Sequence, residues 1–124
     1  MGLDQYAFHR RKGDLPTVRK EIAYWRKHNR LEGWMERLYR AKNPGNEEQF
    51  NCKEVYLNLE DLENLEKDIN ERNLPQTGGF FFGSDSYSDY EGEYGYKNSD
   101  LEFINNAKEA LEKYGGEIIY TSWW

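Results

Sequence analysis

Residues 117–124 have the sequence EIIYTSWW, in which apolar side chains occupy both alternating faces. A strand that is apolar on both sides is typical of the interior of a sheet, between packed layers. We therefore predict an interior strand here, directly after a helix that the pair Gly115-Gly116 ends. The remaining elements have to supply the neighbours of this strand in the sheet and the helices that cover it.

Two further segments alternate like half-buried strands. Residues 3–10 place Tyr6 and Phe8 on one face and polar side chains on the other, and residues 50–59 carry aliphatic side chains at every second position. The string GGFFFG, from Gly78 to Gly83, suits either a short strand covered on both faces or a loop pressed against the core.

Apolar residues recur at helical spacing in three regions. Residues 16–42 contain two such sets, so we predict two helices that meet at a sharp corner at His28 and Asn29, the first with a basic outer face. Residues 59–74 and 99–114 predict one helix each. The expected capping residues are Asn29 with Glu32, Asn58 or Asp61, and Ser99 with Glu102.

The order of these elements predicts an α+β fold. We expect a single two-layer domain over residues 1–124, with three or four short strands, mixed or antiparallel, packed with about four helices. Ten Tyr and four Trp residues predict that both the core and the surface are rich in aromatic rings. Residues 84–98 are rich in Tyr and acidic side chains and are the one candidate long loop.

Composition argues against several classes of protein. No apolar run approaches the ~18 residues of a membrane span. One cysteine cannot build a disulfide scaffold, and with two histidines it cannot supply four good zinc ligands. The glycines of residues 78–83 precede neither a lysine nor a helix, so no phosphate-binding loop and no cofactor are expected. The first residues have no signal-peptide pattern, which leaves a cytoplasmic location as the expectation.

No catalytic or metal-binding residue is predicted. A nucleophilic Cys52 would need His9 or His28 beside it, and nothing in the sequence brings them together, so Cys52 is interpreted as a small core residue. Counting a calcium loop from Asp85 or from Asp89 puts Tyr at the glycine position and no Glu at the last one. An irregular cation site is the alternative to a solvated acidic loop.

Charge is unevenly distributed along the chain, although the total is −6. Residues 1–43 carry a net charge of +6 and residues 44–124 a net charge of −12. This indicates either a basic face for an acidic partner or two halves that neutralise each other across one domain. Nucleic acid is not the expected partner, because phosphate contacts dominate such binding and the protein is acidic.

The acidic, Tyr-rich loop is the first candidate for a partner-binding surface, since Tyr buries area at modest entropic cost. Solubilisation is the alternative role of this loop. The residues predicted to contact a partner are Asp85, Tyr87, Asp89, Tyr90, Glu91, Tyr94 and Tyr96.

The helix corner is the second candidate, for a small molecule or nucleotide and with enzymatic activity left open. A helix start there could offer backbone N–H groups to an anion, with rings to stack on it. The structural alternative is a helix-end His28, a capping Asn29 and tryptophans in the core. The residues predicted for the ligand site are Trp25, Arg26, His28, Asn29, Arg30 and Trp34.

Four strings together resemble small proteins of tailed bacteriophages of about this length: MGLDQYAF, YWRKHNRLEGWME, TGGFFFG and YTSWW. The resemblance implies a product made in the host cytoplasm during infection that binds or inhibits a host protein or defence factor. It carries over no catalytic residue and no oligomeric state. We therefore expect a non-catalytic binding module, with ligand binding at the corner as the alternative.

Overall fold

The computed structural model describes residues 2–15, 17–75, 90–91 and 95–124. This confirms the predicted α+β class, with three helices in the described part of the chain where about four were expected. The elements, in chain order, are β1 (Asp4–Arg10), β2 (Lys20–Arg26), α1 (Asn29–Lys42), β3 (Glu54–Leu57), α2 (Leu59–Asn70), α3 (Lys97–Tyr114) and β4 (Glu117–Trp123).

The four strands form one antiparallel sheet in the order β2-β1-β4-β3. The prediction of an interior strand at the end of the chain is confirmed, because β4 lies between β1 and β3. The pairing of β1 with β4 runs from Asp4 opposite Trp123 to Arg10 opposite Glu117. The pairing of β1 with β2 contains a bulge between Ala7 and Phe8.

The helix predicted for the first part of residues 16–42 is wrong, since residues 20–26 form the edge strand β2. The helical spacing of Val18, Ile22 and Trp25 arises by chance: Ile22 and Trp25 belong to β2, which bulges as it pairs with β1, and Val18 precedes the strand. Tyr and Trp favour pleated, half-buried surfaces, and pairing with the open edge of β1 satisfies the backbone groups of both strands. The corner at His28 therefore joins a strand to a helix.

The helices cover one face of the sheet. Trp25 of β2 packs edge-on against Phe103 of α3, with ring centroids 5.1 Å apart. Tyr120 of β4 reaches Glu32 of α1 on the same side. Each fully buried aliphatic side chain contributes about 1.5–3 kcal/mol relative to exposure, so this layer supplies the main stabilisation. Its fully buried members include Leu31, Met35, Leu62, Leu65, Ile69, Ile104 and Ile118.

One of the three predicted helix caps is confirmed. Asn58 accepts a hydrogen bond from the backbone N–H of Asp61, and the Asp61 carboxylate accepts one in return from the Asn58 N–H. The other two capping boxes are wrong: α1 begins after His28 and α3 after Tyr96, neither with a side-chain cap. Glu32 is instead used inside the core.

Candidate binding surface

The sheet turns aromatic side chains towards the face that the helices leave uncovered, the open face. Along β1 the side chains of Gln5, Ala7 and His9 are buried beneath the helices, so those of Tyr6 and Phe8 lie on the opposite side. The strand register places further side chains on this face. They are Tyr24 opposite Tyr6, Ile119 opposite Phe8, Tyr56 opposite Ile119, and Trp123 opposite Asp4.

Three of these rings, Tyr6, Tyr24 and Trp123, form a contiguous cluster that we call the ring patch. The Tyr6 ring lies at its centre, with its centroid 5.2 Å from that of Tyr24 and 5.5 Å from that of Trp123. Tyr24 is 48% exposed and Trp123 is 55% exposed. Large rings held half-exposed on a sheet are a rigid apolar surface, which is what most protein interfaces have at their centre.

Charged groups border the ring patch. The Tyr24 hydroxyl donates a hydrogen bond of 2.7 Å to Asp4, and this bond raises the pKa of Tyr24. Arg26 shares the open face because it is the register partner of Asp4, and Lys27 follows it; both are exposed. Neither forms an ion pair with any residue that the structure describes. Since Asp4 lies opposite Arg26 on the adjacent strand, this border of the ring patch carries two basic side chains and one acidic one.

The other half of the open face is crossed by ion pairs. Arg10 Nη2 lies 2.8 Å from Glu117 Oε2, and Arg19 Nη1 lies 2.7 Å from Glu54 Oε2. Together with Tyr56, the Arg10, Arg19 and Glu117 side chains line a cavity of about 260 Å³. The four charges neutralise one another within these two ion pairs.

The predicted ligand residues at the His28 corner are mostly core residues. Trp25, His28, Asn29, Arg30 and Trp34 are all buried, and Arg26 alone of the six is exposed. The Trp34 indole N–H donates to Asp68 at 2.8 Å, and the Arg30 guanidinium donates to the Leu74 carbonyl at 2.9 Å. The corner thus joins elements of the protein to one another. The segment Gly78–Gly83 lies outside the described residues.

His28 itself sits in an aromatic and acidic environment. Its Nε2 lies 2.7 Å from Oδ2 of Asp100, the same oxygen that accepts a 2.6 Å hydrogen bond from the Tyr90 hydroxyl. The Tyr96 ring stacks on the imidazole with centroids 4.3 Å apart and an interplanar angle of 7°. Asp100 Oδ1 is buried with no partner among the described residues. The arrangement fixes the start of α3 against the start of α1.

A second buried polar network contains residues that sequence reasoning missed. Glu32 accepts hydrogen bonds from Tyr120 at 2.6 Å and from Ser122 at 2.9 Å, and burial raises its pKa to about 7. Gln5 donates to Tyr120 and to the His28 carbonyl, both at 2.9 Å, and accepts from the His28 N–H at 2.8 Å. One signal could have identified Gln5, because it alternates with Leu3 and Ala7 on one side of β1.

Three of the predicted partner-binding residues lie in the described part of the chain, and all three contact the protein itself. Tyr90 is only 4% exposed, which corrects the expectation that its ring faces a partner. Tyr96 is half-buried on His28, with its hydroxyl donating to the Arg26 carbonyl. Glu91 accepts hydrogen bonds from Arg72 and Lys97, which lower its pKa. The other four, Asp85, Tyr87, Asp89 and Tyr94, lie outside the described residues.

A larger cleft of about 610 Å³ lies between the beginning of β2 and the last turns of α3, and no predicted ligand residue lines it. The Arg11 guanidinium lies over the Tyr114 ring at 4.0 Å on its wall. Its other charged side chains have both signs: Lys20, Lys113 and Arg19 against Asp14, Glu21 and Glu109. This mixture selects neither an anionic nor a cationic ligand.

The described residues contain no cluster of three or more His, Cys, Asp or Glu side chains suited to a metal ion. Cys52 is exposed, so its interpretation as a core residue is wrong. A ring nitrogen of His9 bonds the Gly115 carbonyl at 2.9 Å, and His28 bonds Asp100. No helix in the described part of the chain is long and apolar enough to cross a bilayer.

No family model, curated protein or solved structure matches this chain. The resemblance to small phage proteins therefore stays a prediction. The function has to be argued from the surface that the fold presents.

Proposed function

We propose that this protein is a non-catalytic binding module that binds a host protein in the cytoplasm of an infected bacterium, through the open face of its sheet. The observation that carries the proposal is the ring patch, three adjoining rings with Tyr24 and Trp123 about half exposed. Buried aromatic anchors dominate the energy of protein interfaces. The resemblance to phage proteins supports a host protein as the partner.

The charges of the open face favour a protein over a nucleic acid. A strand of DNA or RNA needs stacking rings together with an excess of positive charge along its backbone. Here the charges within the ion pairs Arg10–Glu117 and Arg19–Glu54 cancel, and the whole chain has a net charge of −6. Rings without a basic groove are better suited to apolar and polar side chains of another protein.

The border of the ring patch indicates the chemistry of the partner. Arg26 and Lys27 are exposed beside the rings without an ion-pair partner among the described residues. Complementary charges steer association and set the register of an interface. We therefore expect the partner to offer an apolar side chain to Tyr24 and Trp123 and a carboxylate to the adjoining cations.

The test is capture from lysates of candidate host bacteria on the immobilised protein. Wild type should retain one stoichiometric partner. The double variant Tyr24→Ser with Trp123→Ser should bind it about 30-fold more weakly, as for a hot spot of ~2 kcal/mol. The matched control, Tyr114→Ser with Leu59→Ser, removes side chains that are 46% and 50% exposed but lie off the open face.

Loss of binding in the ring-patch variant and retention in the control would support the proposal. Equal retention in both variants would overturn the assignment of the surface. Capture of oligonucleotides with steeply salt-dependent affinity would overturn the choice of a protein partner.

A further inference from the structure

The ion pair of Arg19 and Glu54 joins opposite edges of the sheet. Arg19 immediately precedes β2, and Glu54 is the first residue of β3. The strands β1 and β4 lie between these two edges. Because Arg19 Nη1 is nonetheless 2.7 Å from Glu54 Oε2, the bridge between them extends over the open face. We call this ion pair the latch.

The latch covers an apolar ring that adjoins the ring patch. The Arg19 guanidinium lies over the Phe8 ring, 5.8 Å from its centroid. The Phe8 ring stacks beside Tyr6 at 6.3 Å. Without the latch, the Phe8 ring would therefore extend the ring patch along β1.

The latch is also easy to open. The Arg19 and Glu54 side chains are 22% and 39% exposed, and ion pairs as exposed as this contribute little to stability. Within the loop before β2, the Asp14 N–H donates to the Arg11 carbonyl and the Val18 N–H donates to the Leu15 carbonyl. Glu54 has a second hydrogen bond, from the Tyr56 hydroxyl at 3.0 Å, which would hold it in place when Arg19 leaves.

We infer that the latch regulates the binding surface: closed, it limits the surface to the ring patch, and open, it adds the Phe8 ring. This inference rests on the proposed function for its consequence, since a larger apolar surface means tighter binding of the same partner. An acidic side chain of the partner would open the latch by taking the place of Glu54 on Arg19.

The experiment compares Glu54→Gln with the control Glu117→Gln, which removes the other ion pair of the same face. The readouts are hydrogen–deuterium exchange of the amides of residues 17–19 and the fluorescence of bis-ANS, a dye that binds exposed apolar surface. Glu54→Gln should raise both about two- to fivefold, as expected for the loss of a weak ion pair. The control should leave both unchanged. Arg19→Gln should reproduce the effect, which guards against a local artefact at position 54.

Salt supplies an independent arm. Raising the ionic strength to about 1 M, where the Debye length falls to ~3 Å, weakens an exposed ion pair and should therefore increase exchange in wild type and change Glu54→Gln little. Unchanged exchange and dye binding in Glu54→Gln, or an equal rise in Glu117→Gln, would overturn the inference that the latch covers apolar surface.

The proposed function and the regulation by the latch can be tested independently of each other. The exchange and dye measurements need no partner, so they judge the latch even if no host protein is captured. Conversely, a partner that depends on Tyr24 and Trp123 but binds Glu54→Gln no more tightly than wild type would retain the proposed function and overturn the regulation.

Discussion

Tyr120 donates a 2.6 Å hydrogen bond to Glu32 and so joins the central strand β4 to helix α1 in the interior of the protein. Tyr120 is fully buried, and burial together with the Glu32 carboxylate raises its pKa well above the ordinary value. Glu32 is 2% exposed, and its two hydrogen-bond partners among the described residues, Tyr120 and Ser122, are hydroxyl donors. A carboxylate held only by neutral donors in a low-dielectric core favours its protonated form.

The first prediction concerns the pH dependence of stability. Burial raises the pKa of Glu32 from 4.5 to about 7. The stabilisation from its protonated form is therefore complete below about pH 4.5 and is lost as the pH rises through 7, a change of about 3 kcal/mol. Glu32→Gln should match wild type near pH 4.5 and exceed its free energy of unfolding at pH 8. Urea unfolding at both values measures this, and an equal difference at the two pH values would contradict it.

Tyr120→Phe tests the other side of the same hydrogen bond. The change removes the donor to Glu32 and the acceptor for Gln5 while keeping the ring, so two buried polar groups lose a partner. We expect the free energy of unfolding to fall by about 1–3 kcal/mol. Tyr114→Phe, at a ring that is 46% exposed, is the control and should change it by less than about 0.5 kcal/mol. Chemical denaturation of both variants measures the two changes in the free energy of unfolding, and equal changes would contradict the prediction.

Gly116→Ala is predicted to be severely destabilising. Gly116 has a φ of +87°, and a Cβ there would lie 1.8 Å from the carbonyl oxygen of Arg10 on the adjacent strand. Gly45 has a similar φ of +84° but nothing within 4 Å of its Cβ position. Gly45→Ala therefore isolates the backbone strain, ~1–2 kcal/mol, and Gly116→Ala should cost clearly more. If thermal unfolding shows the same loss of stability for Gly116→Ala and Gly45→Ala, the predicted clash of a Cβ at position 116 with the Arg10 carbonyl is wrong.

The capping box of α2 gives a smaller effect. Asn58→Ala removes the acceptor for the Asp61 N–H and should lower the free energy of unfolding by about 1 kcal/mol. Asn64→Ala, an exposed change within the same helix, should cause no loss, because Ala is the better helix former. An equal loss in the free energy of unfolding for Asn58→Ala and Asn64→Ala would contradict a specific role of the cap.

The elements that sequence reasoning predicted correctly are those whose local pattern agrees with their tertiary setting. The strand β4 and helix α2 have unambiguous apolar patterns, and Asn58 is a strong cap. The strand β2 was missed because Val18, Ile22 and Trp25 match a helical period, and only pairing with β1 shows that Ile22 and Trp25 belong to a strand. Secondary structure of this kind is decided by contacts distant in sequence.

The candidate binding surface could likewise be predicted only in part from the sequence. The aromatic composition predicted rings both in the core and outside it, and the exposed Tyr24, Tyr56 and Trp123 confirm this for the described residues. Their meeting on one face could not be predicted, because it depends on the strand order and on which side of β1 the helices cover. The buried roles of Glu32 and Asp100 likewise depend on partners 88 and 72 residues away.

The bulge between Ala7 and Phe8 has a consequence for how the molecule behaves at high concentration. It distorts the pairing of the edge strand β2, whose ends carry Lys20 and Arg26. A twisted edge with like charges at both ends is a poor template for pairing with a strand of another molecule, even though the neighbouring exposed rings favour hydrophobic association. We expect concentrated solutions to resist fibril growth from this edge, and straightening the bulge to promote amyloid.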